Sequence, residues 1–81
     1  MIQSGSITIS IVGGTNNVIT RPSGSFISDG FQHGDKITIF NSSNNTSVYV
    51  IKSLSAIQIS TNETLTNESS FTAVILTGNR E

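Results

Sequence analysis

The sequence predicts an all-β chain, folded as a small antiparallel barrel or sandwich of roughly five to seven short strands, SH3-like or similar. Three observations lead there. Apolar residues alternate with hydroxyl residues at period two along most of the chain, turn-forming residues return about every 8–12 positions, and no segment carries convincing helical periodicity.

Each element follows from that pattern. Ile7, Ile9 and Ile11 share one face of a first strand, with Ser6, Thr8 and Ser10 on the other, and Gly13-Gly14 ends it. A short second strand spans Asn17 to Arg21; Pro22, with no N–H to donate, stops the ladder, and Ser23-Gly24 continues the break. Phe26 and Ile27 lead into Asp29-Gly30, where a glycine accepts positive φ without a Cβ clash and redirects Phe31 inward. Gly34-Asp35 repeats the device. From Lys36 to Phe40 the alternation resumes, with Ile37 and Ile39 on one face and Thr38 and Phe40 on the other. Asn41 to Thr46 consists of residues whose side chains bond their own backbone, so it reads as a hairpin loop into a strand from Ser47 to Ser53. Val48 and Val50 are expected on the face of Ile37 and Ile39. Ile57 and Ile59 mark the next strand, and a polar connection from Thr61 to Ser70 leads to a last strand with Phe71, Ala73 and Ile75. Within that connection, Thr64 to Glu68 reads either as one helical turn capped by Thr64, with Leu65 pinned to the core, or as a wide loop.

A chain of 81 residues supports one core and not two, so residues 1–81 read as a single domain with 1–14 as a candidate strand-exchange arm. Cysteine is absent, which removes thiolate metal sites, redox chemistry and the disulfides that staple many small domains, and favours stabilisation by neighbouring copies. Only 11% of residues are charged and the net charge is −1, so no basic stripe meets nucleic acid or an anionic membrane. Met1-Ile2-Gln3-Ser4 lacks the basic and apolar regions of a secretory signal, and the expectation is a soluble intracellular product. The Asn-x-Ser/Thr sequons beginning at Asn41, Asn44, Asn45, Asn62 and Asn67 follow from composition in a chain so rich in those residues.

Chemistry-bearing groups are few. His33 lies between Asp29 and Asp35, an arrangement open to an acid/base or metal reading, but both aspartates also serve as turn formers beside Gly30 and Gly34. No Gly-x-Ser-x-Gly elbow and no phosphate-loop context accompanies the glycines. The reading is therefore not an enzyme, with no cofactor and no metal. Arg21 and Lys36 are candidates to meet a partner's carboxylates. With Phe40, Tyr49 and Ile51 on one face of the hairpin and Ile37, Val48 and Val50 on the other, one thin core cannot take both sets, so one is expected to contact another chain. The interface candidates are Ile7, Ile9, Ile11, Phe40, Tyr49 and Ile51.

Gly24-Ser-Phe-Ile-Ser-Asp-Gly-Phe31, Gly34-Asp-Lys-Ile-Thr-Ile39, Asn44-Asn45, Tyr49-Val50-Ile51 and Leu65-Thr-Asn-Glu68 together resemble a module of tailed-bacteriophage virion structural proteins, GSF-x-x-DGF-x-x-GD-x-I. Order and spacing agree over roughly residues 18 to 77, and Thr46 stands where that pattern commonly has glycine. The resemblance implies a β-rich virion component of the head-decoration, head–tail or tail type, assembled in the host cytoplasm, with no catalytic residue to carry over. It further implies the major capsid protein or another virion protein as partner, and a homo-oligomer. The small size points first to a capsid decoration or cement protein that stabilises the phage head. A tail or head–tail connector accessory subunit, ringed by edge-strand pairing through Ser6 to Val12, is the alternative. A small ligand- or carbohydrate-binding module is a third reading, disfavoured by one tyrosine and no tryptophan for stacking on a sugar.

Overall fold

The computed structural model describes residues 2–14 and 17–77; residues 1, 15–16 and 78–81 lie outside it, and with them both ends of the expected 1–81 domain. In chain order the elements are β1 (Ile2–Gln3), β2 (Ile7–Val12), β3 (Val18–Thr20), α1 (Phe26–Asp29), β4 (Lys36–Phe40), β5 (Val48–Leu54), β6 (Gln58–Thr61) and β7 (Glu68–Thr77). The sheet runs β7-β2-β3-β6-β5-β4 and closes where β4 pairs β7, giving a closed antiparallel barrel of six strands. The long β7 makes that closure, pairing β2 along its first half and β4 along its second. β7 has ten residues; it pairs β2 through Glu68, Phe71, Thr72 and Ala73, and β4 through Val74 to Thr77. β1 extends the line of β2 along β7, matching Ile2 to Thr77 and Gln3 to Leu76. Thus β2, the segment anticipated as an exchange arm, is paired on both sides within its own chain.

Period-two alternation decides what lies inside. Ile9, Ile11, Ile19, Ile37, Ile39, Tyr49, Ile51, Ile59, Ala73 and Ile75 fill the barrel, and Phe26, Phe31 and Leu65 join them from the connections. Cross-strand partners face the same way, so Ile37↔Tyr49 and Ile39↔Ile75 place these four side chains together inside. This corrects the expected face assignment: Tyr49 and Ile51 share the inner face with Ile37 and Ile39, and Val48 and Val50 point outward. The 41–47 loop sets the parity of the pairing, and a one-residue difference flips every side chain of β5. Two bulges adjust the wall. One places Ser69 and Ser70 opposite Ser10, and the other leaves Lys52 and Ser53 both outward before Leu54 turns in.

Each barrel end is closed by irregular chain. At one end sits α1, a single helical turn that the period-two reading did not anticipate. Ser25 caps it by accepting the Ser28 N–H at 3.1 Å, and Gly30, at φ 105°, ends it so that Phe31 turns into the core. Phe26 and Phe31 meet edge to face with centroids 5.8 Å apart. At the other end the 62–67 connection is a loop with Leu65 buried, which decides between the two sequence readings. Gly13 is required there, because a Cβ would collide with the Leu65 carbonyl.

Two substitutions test this packing by denaturant unfolding. Ile75→Ala, at a position with no exposure, is expected to cost about 2–5 kcal/mol. Gly13→Ala is expected to destabilise as well, although it removes no contact, because the Leu65 backbone must move away.

Candidate docking surface

The parity that turns Tyr49 and Ile51 inward builds an apolar surface on the outside of β4, β5 and β7. Register defines its rows: Leu76, Thr38 and Val48 lie side by side, Val74 beside Phe40, and Lys36 beside Val50. Phe40 is 50% and Val48 55% exposed, while Val50, Val74, Leu76 and Thr38 are half-buried between them. Lys36 and Lys52, both exposed, stand at the end of the face where β4 begins and β5 ends. Among the described residues neither lysine forms an ion pair. Among the described residues, the other exposed large apolar side chains are elsewhere: Val12 on β2, Ile27 on α1 and Ile57 in the β5–β6 turn.

Of the interface candidates taken from the sequence, only Phe40 lies on this face. Ile9, Ile11, Tyr49 and Ile51 are core residues and Ile7 packs against the core, so these five offer little or no surface to a partner. Val74 and Leu76 were missed. Their signal was the uninterrupted run Ala73-Val-Ile-Leu76, in which apolar residues occupy both faces of one strand.

The remaining chemistry-bearing groups have structural work. Arg21 is not turned to a partner: it is buried, donates to Asp29 at 2.7 Å and to the Ser23 carbonyl at 2.7 Å, and lies 4.8 Å from the centre of the Phe26 ring. Asp35 accepts the Gln32 N–H at 2.9 Å, closing the turn on which exposed His33 sits. These bonds separate Asp29 and Asp35 into different jobs. A cavity of about 200 Å³ lies between Ser6–Thr8 and Arg21–Ser23, smaller than the roughly 300–1,000 Å³ typical of small-molecule sites.

The tightest polar assembly centres on Glu68, which the Ser69-Ser70 bulge turns toward the 41–45 loop. Its carboxylate accepts from Ser42 Oγ, from Asn45 Nδ2, and from the backbone N–H of Ser43 at 3.2 Å and of Asn44 at 3.4 Å. Asn45, almost fully buried, exchanges two hydrogen bonds of 2.8 Å with the backbone of Thr66. Partial burial pushes the Glu68 pKa up, but the Ser42, Asn45, Ser43 and Asn44 bonds outweigh it and hold the carboxyl below its ordinary value of 4.5.

No family model, no curated protein and no solved structure matches the chain.

The sign of the Glu68 shift sets a pH dependence. Its contribution to stability is fully present above the ordinary value of 4.5 and is lost as pH falls through the lower folded-state value. Denaturant midpoints measured down that range are expected to fall, and Glu68→Gln to cost about 1–3 kcal/mol at neutral pH while flattening the acid limb. Phe40→Ser, on the open face, is expected to change stability by less than about 1 kcal/mol in the same assay.

Proposed function

We propose that this chain is a non-enzymatic virion structural protein that decorates and cements the phage head, laying the outer face of β4, β5 and β7 on the major capsid protein. The observation that carries the reading is that face: a closed barrel has spent its strand edges on itself, yet leaves Phe40 and Val48 half exposed beside Val50, Val74 and Leu76. Such a patch, on a chain with so few charges, is a contact surface more than a reactive one. The pattern from Gly24 to Ile39 supports the virion setting, and the small size favours decoration. A single barrel measuring 29 × 22 × 20 Å suits a seat over lattice joints. Each copy then stabilises the shell modestly by mass action, and hundreds of copies do so together. Edge-strand addition through β2, the route expected for a tail or connector ring, is less well supported because β2 is paired on both sides.

Quantitative mass spectrometry of purified particles tests the proposal. The expected ratio is near one copy per major capsid subunit; tens of copies per particle would move the chain to the tail or connector, and absence would remove it from the virion. Adding purified chain to particles that lack it gives the matching mutational test, in which Phe40→Asp with Val48→Asp is expected to abolish binding while the circular dichroism spectrum is unchanged.

A further inference from the structure

We infer that the partner of the β4–β5–β7 face is a different protein presenting an apolar patch flanked by carboxylates, and not a second copy of this chain. The inference rests on the docking reading above and names the chemistry of the surface it meets. Every charge among the described outward residues of the face is positive. Along β4 the outward residues are Lys36, Thr38 and Phe40, along β5 Val48, Val50 and Lys52, and along β7 Thr72, Val74 and Leu76. None of the chain's described carboxylates projects outward from these three strands: Asp29 is held by Arg21, Asp35 by the Gln32 N–H and Glu68 by the 41–45 loop, while Glu63 borders the face along the edge of β5, where it accepts the Val50 N–H at 2.8 Å. Two copies placed face to face would therefore bring lysines against valines or lysines against lysines, with no carboxylate among the described outward residues to answer them. Like or unpaired charge at a closing contact is a strong bar to association.

Size points the same way. A stable interface buries on the order of 800 Å² per partner. Three strands at about 4.8 Å spacing and some five residues long span roughly 14 by 17 Å, which supplies the apolar centre of such a contact but not its rim. The rim at the lysine end must be completed by groups of opposite sign, and aspartates or glutamates at the edge of the partner's patch do that. A nucleic acid strand satisfies the lysines but leaves the valines and Leu76 against phosphate. A lipid surface is served better by clustered basic residues on projecting loops than by two lysines on a flat pleated face.

Amide chemical-shift titration of the isotope-labelled full chain tests this with two capped extended peptides, one alternating aspartate with valine, the other lysine with valine. Shifts confined to Lys36–Phe40, Val48–Lys52 and Thr72–Leu76 are expected with the acidic peptide, which should bind about tenfold more tightly than the basic one and more weakly as salt is raised. Lys36→Glu with Lys52→Glu is expected to exchange the preference. Equal binding of both peptides, no shifts with either, or concentration-dependent shifts of the same residues in the chain alone would overturn the inference. So would shifts with phosphatidylserine vesicles but not with the acidic peptide. A chain that decorates particles and ignores the acidic peptide keeps the docking reading and loses this one.

Discussion

Everything in this barrel depends on β7 holding both edges of the sheet. A chain of 81 residues without cysteine has little core to spare, and an open sheet of such short strands would expose two rows of unpaired backbone groups. The ten residues of β7 remove both rows at once, because the first half takes β2 and the second half takes β4. The strand must then change partners midway, and its sequence is built for it. Ser69 and Ser70 sit in a bulge among hydroxyl residues, while Ala73 to Leu76 is apolar on both faces where β4 adjoins. The inner half of that run joins the core, and the outer half, Val74 and Leu76, lines the apolar face beside β4. One strand therefore carries the closure of the barrel and one side of the candidate face, whose other residues come from β4 and β5.

Closure leaves the barrel ends to be stopped, and the chain does this with side-chain amides in place of secondary structure. The 62–67 connection has almost no regular ladder of its own. Asn17 accepts the Leu65 N–H at 2.9 Å, Asn45 brackets Thr66, the Val50 carbonyl accepts the Asn62 N–H and Thr61 Oγ1 donates to the Glu63 carbonyl at 2.8 Å, so this loop's backbone is satisfied from four directions, and Asn67 in turn accepts the Gly13 N–H at 2.7 Å. The abundance of Asn, Ser and Thr thus has a reason beyond hydration: these residues replace the hydrogen bonds that a wide loop over a buried Leu65 would otherwise lack. Glu63 in this connection accepts the Val50 N–H at 2.8 Å, and Glu68, just after it, takes all its donors from a single loop. That loop is also the hairpin connection of β4 and β5, so the clamp fixes the parity that decides which residues of β5 face outward.

Much of this was legible in the chain. Alternation identifies β2, β4 and the last strand, and the glycine after Asp29 places Phe31 inside, whereas the expectation that one core cannot take both apolar sets of the hairpin rests on a face assignment the structure reverses: Ile37, Tyr49 and Ile51 share one core. What the alternation could not supply was the parity across Asn41 to Ser47. A two-residue turn announces its register, whereas a seven-residue loop tied down by Glu68 takes its register from a residue more than twenty positions away. Hence Val48 and Val50 were assigned inward and Tyr49 and Ile51 outward, the reverse of the structure. α1 was hidden for a related reason: a single turn has no period to detect, and it is held by the Ser25 cap and by the burial of Phe26 against Arg21 and Phe31. Ala73 to Leu76 was read only for its inward residues, although an unbroken apolar run at the end of a strand implies burial on a second side.

The division of charge follows from the same economy. With few ionisable groups, the chain places its described carboxylates where the backbone needs an acceptor and places Arg21 where Asp29 and the Phe26 ring enclose it. Lys36 and Lys52 form no ion pair among the described residues, and they stand beside the apolar face of β4, β5 and β7 that folding leaves open. Apolar area unused by the core and two lysines without an ion pair among the described residues thus meet at one place, and the proposed contact rests on that coincidence, not on the exposure of any single apolar side chain.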